Sequence, residues 1–321
     1  MKDQLIVHIG MHKTGTSTIQ AQLVESRSSL RSQGILYAET GRQPFPQHPK
    51  HSSLFKSLVL GPAEFQKEFD IVMREYQASG CSTLVLSEEA FSSPYFDKFN
   101  FRLFKKFLPH FDIRVVCFLR RQDTFAESLW NQHTKIEKQS KDITGFLEVP
   151  KNRLRFDYVG MLDFWANFAE VVAVGFEGAV QKGLEKTFSA ASGVPILTSS
   201  KLRNVSPGMN CAATMALLNR LDVKFDAPKL IAAFSHDKRK HVLGSALRRK
   251  LLDEVADHNK RLYAKYGVSF SDSMPEEGSD PLLLPDVEEI AKAIAALSII
   301  GPRSKQLRTP LTDMHRNQKT H

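Results

Sequence analysis

The sequence predicts an α/β protein with a central parallel sheet flanked by helices. Three observations predict this class: short strand-like apolar runs recur in the first 176 residues, helical patterns separate them, and almost everything after about residue 178 has a helical pattern. Strands that alternate with helices are typical of a parallel sheet in a layered fold. We therefore expect a three-layer sandwich with a helical C-terminal part.

Four segments have the composition of buried strands. They are QLIVHIG (4–10), STLVLS (82–87), DIRVVCFLR (112–120) and EVVAVGF (170–176). Helical patterns cover about 16–33, 51–60, 62–79, 101–108 and 158–169. Gly34 suits the position after the first helix. Thr124 and Glu127 have the spacing of a capping box, which predicts a further helix from there to about Lys138.

Composition places the chain among ordinary globular proteins. Of its 321 residues, 42% are apolar and 25% charged. No apolar run reaches the ~18 residues of a transmembrane helix, and the N-terminus leads into a strand, unlike a secretory signal. The three cysteines form no CxxC pair. We expect a reduced, cytoplasmic protein that needs no metal.

The net charge of +9 indicates an anionic partner. Much of the excess lies in HDKRKHVLGSALRRK (236–250) and in the last 21 residues, which hold five Lys/Arg against one acid. No nucleic-acid motif accompanies these clusters, so we interpret them as a solvated helix face and a loose tail, and expect no nucleic-acid partner. A linker at 270–285 and a helix that starts at Asp286 complete a two-part division, with one domain over 1–268 and a linker, helix and basic tail over 269–321.

The stretch HIGMHKTGTSTIQ (8–20) has the outline of a phosphate-binding loop. Gly10 and Gly15 stand between a buried strand and a helix, where backbone N–H groups and the helix dipole converge on one point. Lys13 lies inside the loop, whereas a nucleotide triphosphate loop has its lysine after the second glycine, where this chain has Thr16. The segment therefore predicts an anion site of a different kind. Its candidate ligands are Lys13, Thr14, Gly15, Thr16, Ser17 and Thr18.

A second motif lies about a hundred residues later, in VVCFLRRQDTFAESLWNQ. Arg120 ends a predicted strand, and Ser128 follows eight residues later in the next helix. A guanidinium group binds a phosphate bidentately, and a hydroxyl early in a helix adds a donor. The alternative is an ordinary surface arginine and an ordinary helix serine. Both motifs lie at carboxyl ends of predicted parallel strands, the edge where open α/β sheets bind ligands.

HKTGTSTIQ resembles the 5′-phosphosulfate-binding loop, P-K-[ST]-G-T-[TS], of sulfotransferases that use 3′-phosphoadenosine 5′-phosphosulfate. Further segments resemble bacterial sulfotransferase-like proteins, closely to about residue 190 and moderately to about 265. The resemblance implies a P-loop-type sandwich, a 5′-phosphosulfate held by Lys13 and residues 14–18, and a 3′-phosphate bound by Arg120 and Ser128. His12 departs from the family, which usually has proline there.

The resemblance also implies metal-independent sulfuryl transfer to a hydroxyl acceptor, such as a sugar, with Lys13 following the charge on the leaving phosphate. In the family the base is a histidine or glutamate near the end of a neighbouring strand, which leaves Glu89, Glu88 and His51 as candidates. Arg203, with Lys201, matches a late basic loop that closes over the nucleotide. The alternative for Glu89 is a carboxylate at a helix N-terminus that serves only as a cap.

Two other functions stay open at the level of sequence. One is a P-loop kinase that uses ATP and Mg²⁺, with LVLSEE as its acidic strand, although the Gly-Lys pair is missing. The other is a binder of acidic polymers that keeps the fold without turnover. We expect His8, Phe125 and Trp130 to pack in the core.

Overall fold

A single five-stranded parallel sheet forms the centre of the molecule. The computed structural model describes residues 2–42, 49–93, 102–136, 139–198, 208–235 and 240–274. The strands are β1 (Asp3–His8), β2 (Ile35–Tyr37), β3 (Thr83–Ser87), β4 (Phe111–Leu119) and β5 (Glu170–Gly175). They lie in the order β2–β3–β1–β4–β5, and every neighbouring pair is parallel.

Helices connect the strands and cover both faces of the sheet. Those of the first half are α1 (Thr16–Glu25), α2 (Arg27–Ser32), α3 (Ser52–Leu60), α4 (Pro62–Ser79) and α5 (Gln122–Ile136). Next come α6 (Ile143–Leu147), α7 (Pro150–Arg153), α8 (Tyr158–Ala166), α9 (Phe176–Lys182) and α10 (Leu184–Ser192). The described C-terminal helices are α11 (Met209–Arg220), α12 (Ala227–Ala233), α13 (Ser245–Glu254) and α14 (Ala256–Tyr266).

Alternation along the strands divides the core into two layers, because successive side chains of a strand point to opposite faces. Leu5 and Val7 of β1 belong to the larger cluster, which contains Phe125 and Trp130. Ile6 faces the other way, into a smaller cluster with α1 and α10. The predicted three-layer α/β fold, its parallel sheet and the core positions of Phe125 and Trp130 are confirmed.

The predicted strands and helices are largely present in the structure, and the short helices α6 and α7 are additional to them. The short edge strand β2 was not predicted. The first helix is interrupted at Ser26, whose N–H still donates to Gln22 O at 2.8 Å, so that α1 and α2 follow one another. The capping box is wrong: α5 begins at Gln122, and the carboxylate of Glu127 accepts the N–H groups of Val242 and Leu243 instead of capping the helix.

The C-terminal helices attach to α5 through buried charges. Arg248, only 2% exposed, donates to Asp123 and to Glu127 Oε1, the latter at 2.8 Å. Arg248 is therefore not part of a solvated helix face, as its basic cluster had suggested, because two carboxylates hold it in the core. The rest of the predicted linker, the helix at Asp286 and the basic tail lie outside the described residues.

Within the described part of the chain, no helix is both long and apolar enough to cross a membrane. A cavity of about 580 Å³ opens at the amino edge of the sheet, beside Lys2 and Arg114. The loop between β1 and α1 lies at the opposite, carboxyl edge, together with the ends of β3 and β4.

Candidate functional site

The segment Gly10–Gly15, called the glycine loop below, curls tightly after β1. Lys13 and Gly15 both have left-handed backbones, with φ of 66° and 74°. Because a left-handed conformation costs a non-glycine residue roughly 1–2 kcal/mol, its presence at Lys13 points to a functional constraint. The hydroxyls of Thr14 and Thr16 both donate to Met11 O, at 2.7 and 3.2 Å, and so brace the loop from within.

Both glycines of the loop are required by their surroundings. A Cβ at Gly10 would lie 2.6 Å from Thr16 Oγ1 and 2.7 Å from His8 Nε2. At Gly15 it would lie 2.3 Å from Leu184 Cδ2, on a backbone that already favours glycine. Gly15 is also the N-cap of α1 and has no side chain to accept from the first amides of the helix. The N-terminal end of a helix preceded by a glycine loop suits an anion.

A buried polar chain supports the loop from below. His8 Nδ1 lies 2.9 Å from Ser87 Oγ, which also accepts from Gln20 Nε2 at 3.2 Å. Burial lowers the pKa of His8 to about 3, so the ring is neutral at physiological pH. The predicted core location of His8 is confirmed. Its Nε2, however, has no hydrogen-bond partner among the described residues.

The strand-end arginine meets the glycine loop directly. Arg120 follows the last residue of β4, and its Nη1 donates to the carbonyl oxygen of Lys13 at 3.3 Å. Its Nε donates to Thr124 Oγ1 at 3.1 Å, and its guanidinium carbon lies 5.7 Å from the centre of the Phe176 ring. The structure thus brings the two sequence motifs together at one edge of the sheet.

Helix α5 carries further polar and basic residues beyond Arg120. Ser128 lies one turn beyond Thr124, so the two residues share a face of the helix. The pKa of Lys13 is lowered by burial first, then by Arg120, and then by Lys135, which lies near the end of α5. Helical spacing could have identified Lys135, seven residues after Ser128, whereas Thr124 was interpreted as a cap.

The acidic pair after β3 is held by a lysine that the sequence did not single out. Lys50 Nζ lies 3.2 Å from Glu89 Oε2 and 3.7 Å from Glu88 Oε1. Glu88 is buried and also accepts from Ser52 Oγ at 2.6 Å and from the Ala90 N–H at 3.2 Å. It is the N-cap of the short 3₁₀ turn that follows. Glu89 is more accessible than Glu88, and among the described residues its carboxylate accepts a hydrogen bond from Lys50.

His51 is enclosed by backbone. Its Nδ1 accepts the Ser87 N–H at 3.0 Å, which leaves the proton on Nε2, 3.2 Å from Ala38 O. The side chain is fully buried, and burial, with a smaller effect of Arg42, lowers its pKa to about 3. These contacts make His51 a bridge between the ends of β2 and β3. Because it is fully buried, an acceptor molecule from solvent does not reach it.

His12 precedes Lys13 in the glycine loop. Its pKa is lowered to about 4 by burial first and then by Arg155 and Lys50, against a raising effect of Glu88 and with a small lowering effect of His133. The side chain is half-buried and forms no hydrogen bond with the described residues. The sequence marked His12 as a departure from the usual proline that adds a titratable group beside the site.

The two basic residues predicted to close over the ligand, Lys201 and Arg203, lie outside the described residues. In the part of the chain that the structure does describe, no group of three or more His, Cys, Asp or Glu residues could hold a metal ion.

Comparisons with known proteins give a fold likeness only. No family model and no curated protein matches the chain. A solved sulfotransferase from Alicyclobacillus acidocaldarius aligns over 84% of this chain and 98% of its own, at 14% identity and a TM-score of 0.49. A structure from the PezAT toxin–antitoxin system of Streptococcus pneumoniae aligns over 80% and 88%, at 12% identity and a TM-score of 0.28. At these scores neither alignment carries information on activity.

The arrangement itself is a loop with two glycines between the central strand β1 and helix α1, at the carboxyl edge of a parallel sheet. Lys13, Arg120 and Lys135 concentrate positive charge on the β4 side of the glycine loop, where they could hold anionic groups. The β3 side combines Lys50 with two carboxylates. A ligand seated on the loop would therefore have cations on the β4 side and the carboxylates of Glu88 and Glu89, with Lys50, on the β3 side.

Proposed function

We propose that this protein is a sulfotransferase that moves a sulfuryl group from 3′-phosphoadenosine 5′-phosphosulfate to a hydroxyl acceptor. The observation that carries the proposal is the 3.3 Å contact between Arg120 Nη1 and the carbonyl oxygen of Lys13. It brings the guanidinium group at the end of β4 to the backbone of the loop lysine, 107 residues away in the chain. One carrier with an anionic group at each end suits that pair of cations.

The chain's residues have distinct parts in this proposal. The amides of the glycine loop and of the first turn of α1 hold the 5′-phosphosulfate, with Ser17 and Thr18 as the hydroxyls not used within the loop. Lys13 stabilises the charge that develops on the leaving phosphate oxygen. Arg120 and Ser128 bind the 3′-phosphate, and Arg203 adds a further contact.

Transfer also needs a base for the acceptor hydroxyl. Of the three predicted bases, Glu88 and His51 are committed to several hydrogen bonds each, and Glu89 keeps the most accessible carboxylate. We propose a small-molecule or glycan acceptor that approaches from the β3 side, where these groups lie.

Nucleotide preference tests the proposal against the kinase alternative. By calorimetry, we expect adenosine 3′,5′-bisphosphate to bind the wild type, and ATP with Mg²⁺ to bind at least tenfold more weakly. The reason is that Thr16 replaces the lysine that a triphosphate loop requires. Tighter binding of ATP with Mg²⁺, or no binding of the bisphosphate by the intact protein, would contradict it.

A second measurement separates an enzyme from a binder of acidic polymers. Donor labelled in its sulfuryl group is incubated with a panel of hydroxyl acceptors, and labelled products are counted. Transfer that disappears in Lys13→Ala supports the enzyme. Salt-dependent polymer binding that survives Lys13→Ala, without transfer to any acceptor, would favour the binder.

A further inference from the structure

We propose that Thr124 is a positioning residue for Arg120, and that its hydroxyl group sets the preference for a nucleotide with a 3′-phosphate. This inference rests on the proposed function. The hydrogen bonds of Thr124 with the end of β4 and with the start of α9 carry it. It gives a role to a side chain whose spacing had indicated only a helix cap.

The Thr124 hydroxyl is shared by three groups. Its oxygen accepts from Arg120 Nε at 3.1 Å, and its proton is directed to Arg121 O, at 3.0 Å, or to Glu177 Oε1, at 3.2 Å. Because a hydroxyl has one proton and two lone pairs, it can accept from Arg120 while it donates to either of the other two groups. The Nε–H group of Arg120 therefore has a fixed acceptor at the point where β4 leads into α5.

Two further contacts fix the guanidinium group against the glycine loop. Its Nη1 donates to Lys13 O at 3.3 Å, and its carbon lies 5.7 Å from the centre of the Phe176 ring. The same ring lies against the loop, since a Cβ at Gly15 would be 3.3 Å from its Cε2 atom. Among the described residues, these contacts use the Nε–H group and one N–H of Nη1. Nη2 and the second N–H of Nη1 can then bind a phosphate bidentately.

The Thr124 hydroxyl also links Arg120 to a carboxylate without a direct ion pair. Glu177 accepts from the Arg121 N–H at 3.2 Å and from Thr124, and these hydrogen bonds do not involve the guanidinium group of Arg120. Burial lowers the pKa of Arg120, and Glu177 is the largest of the charges that raise it. Without the hydroxyl, the Nε–H group loses its acceptor, and the Glu177 carboxylate can accept from it directly. Such an ion pair would compete with a phosphate for the same cation.

The first experiment measures the preference by calorimetry, with adenosine 3′,5′-bisphosphate and adenosine 5′-monophosphate as ligands. The ratio of their dissociation constants reports the contribution of the 3′-phosphate. We expect Thr124→Val, which keeps the shape of the side chain and removes the hydroxyl, to lower this ratio about fivefold, and Thr124→Ser to restore it. Affinity for the monophosphate should not change. Thr83→Val, the same change at the amino end of β3, is the matched control and should leave both constants unchanged.

The second experiment tests whether Thr124 acts through Arg120. In an Arg120→Ala background, Thr124→Val should cause no further loss of the ratio, because the group that Thr124 positions is absent. In a Thr124→Val background, Glu177→Gln should recover part of the lost preference, because the competing charge is removed. Neither result is expected if the threonine only stabilises the start of α5.

The two experiments can overturn the proposal in three ways. Thr124→Val may not lower the ratio, it lowers the affinity for both nucleotides equally, or it lowers the ratio as much without Arg120 as with it. In each case the wild type still prefers the bisphosphate, and the proposed function stands. Failure of the wild type to bind the bisphosphate more tightly than the monophosphate would refute the proposed 3′-phosphate site, and this inference with it.

Discussion

Arg120 and Arg121 are neighbours in the chain, but their guanidinium groups have opposite surroundings. Arg121 donates to both oxygens of Asp123, at 2.7 and 2.9 Å, and to the carbonyl oxygens of Ser271 and Ser273. Arg120 donates to a hydroxyl and a carbonyl oxygen, and no carboxylate lies within 4 Å of it among the described residues. Both side chains are largely buried.

The difference in hydrogen-bond partners distinguishes a structural arginine, Arg121, from one that we propose binds a ligand, Arg120. A buried charge is stable when a counter-charge and hydrogen bonds satisfy it, as they do for Arg121. Arg120 donates only to neutral acceptors, and its nearest influential carboxylate, Glu177, accepts instead from the Arg121 N–H and from Thr124 Oγ1, so the other N–H groups of Arg120 can serve an anion at the glycine loop. The arginine that fixes the fold therefore lies beside the arginine that we propose binds the 3′-phosphate.

The largest expected effect is a loss of stability on removal of the Asp123 carboxylate, which Arg121 and Arg248 share. Asp123 is fully buried and accepts from both Arg121 and Arg248. Asp123→Ala leaves two buried guanidinium groups without this partner, and we expect the free energy of unfolding to fall by about 3–5 kcal/mol. Urea titration followed by circular dichroism measures this loss.

The exposed pair of Glu64 and Lys67, on α4, provides the control for that experiment. Glu64→Ala removes a carboxylate from a solvent-exposed pair, which contributes little to stability. Equal losses in the two variants would mean that the buried network does not hold the C-terminal helices on α5.

The next effect concerns binding rather than stability. Arg120→Ala removes a charged hydrogen-bond donor worth about 1.5–3 kcal/mol, so we expect the dissociation constant for adenosine 3′,5′-bisphosphate to rise by roughly 10- to 150-fold. Stability should change far less than in Arg121→Ala. Calorimetry and urea titration on the same preparations measure both quantities.

Arg114 is the matched control for Arg120, since it lies on the same strand near the amino edge and pairs with Glu170. Arg114→Ala should leave bisphosphate binding unchanged. If Arg120→Ala binds the bisphosphate as tightly as Arg114→Ala does, Arg120 is not the 3′-phosphate ligand, and its contrast with Arg121 has no functional meaning.

The fold was predictable because its signals are local. A parallel sheet requires buried apolar strands alternating with helices, and four of the five strands have that pattern. Strand β2 was missed because three residues are too few to show a period. The capping box at Thr124 failed for a tertiary reason: Glu127 is bound by Arg248 and by backbone groups of Val242 and Leu243. Local spacing contains no information about a partner 121 residues away.

The site was predictable only where its residues stand in a motif. The glycine loop and Arg120 could be placed at one edge of the sheet because each follows the carboxyl end of a predicted parallel strand. Lys50 could not, because only the fold brings it against Glu88 and Glu89. The sequence equally offered His51 as a base, although a histidine between two strands can serve as a backbone bridge. Burial and hydrogen-bond partners distinguish these roles, and neither is visible in one sequence.

Acid should destabilise the buried network around Asp123 and Glu127 before it affects Arg120. Burial alone would raise the pKa of Asp123 and of Glu127, but hydrogen bonds from Arg121 and Arg248 to Asp123, and from His241 and the backbone to Glu127, lower both. Carboxylates with lowered pKa stabilise the fold above their usual values of 3.8 and 4.5 and lose that contribution as pH falls through the folded values.

We therefore expect the free energy of unfolding to decrease below about pH 4.5, by less than the loss in Asp123→Ala. The decrease should be shallower in Asp123→Asn, which cannot titrate at that position, and unchanged in Arg120→Ala. Urea titrations between pH 3 and 7 measure these slopes. Identical slopes in Asp123→Asn and the wild type would show that Asp123 does not contribute to acid sensitivity.

The smallest effect tests whether the glycine loop is strained for the sake of its ligand. Lys13 has a left-handed backbone, and its carbonyl oxygen accepts from Arg120. Lys13→Gly relieves the strain and should raise the free energy of unfolding by about 0.5–1 kcal/mol, because glycine adopts this conformation without penalty but loses more entropy on folding. The same change removes the ammonium group, so bisphosphate binding should weaken.

Asp222 offers the matched comparison, since it is the other described non-glycine residue with positive φ, at 53°. It is exposed and follows α11, away from the glycine loop. Asp222→Gly should give a similar or smaller gain in stability with no change in bisphosphate binding, because no ligand depends on that turn. A loss of stability in Lys13→Gly would mean that contacts of the lysine side chain outweigh the strain of its backbone. The left-handed conformation would then be a consequence of packing, and Arg120 would be positioned by a loop that the fold holds in place without a ligand.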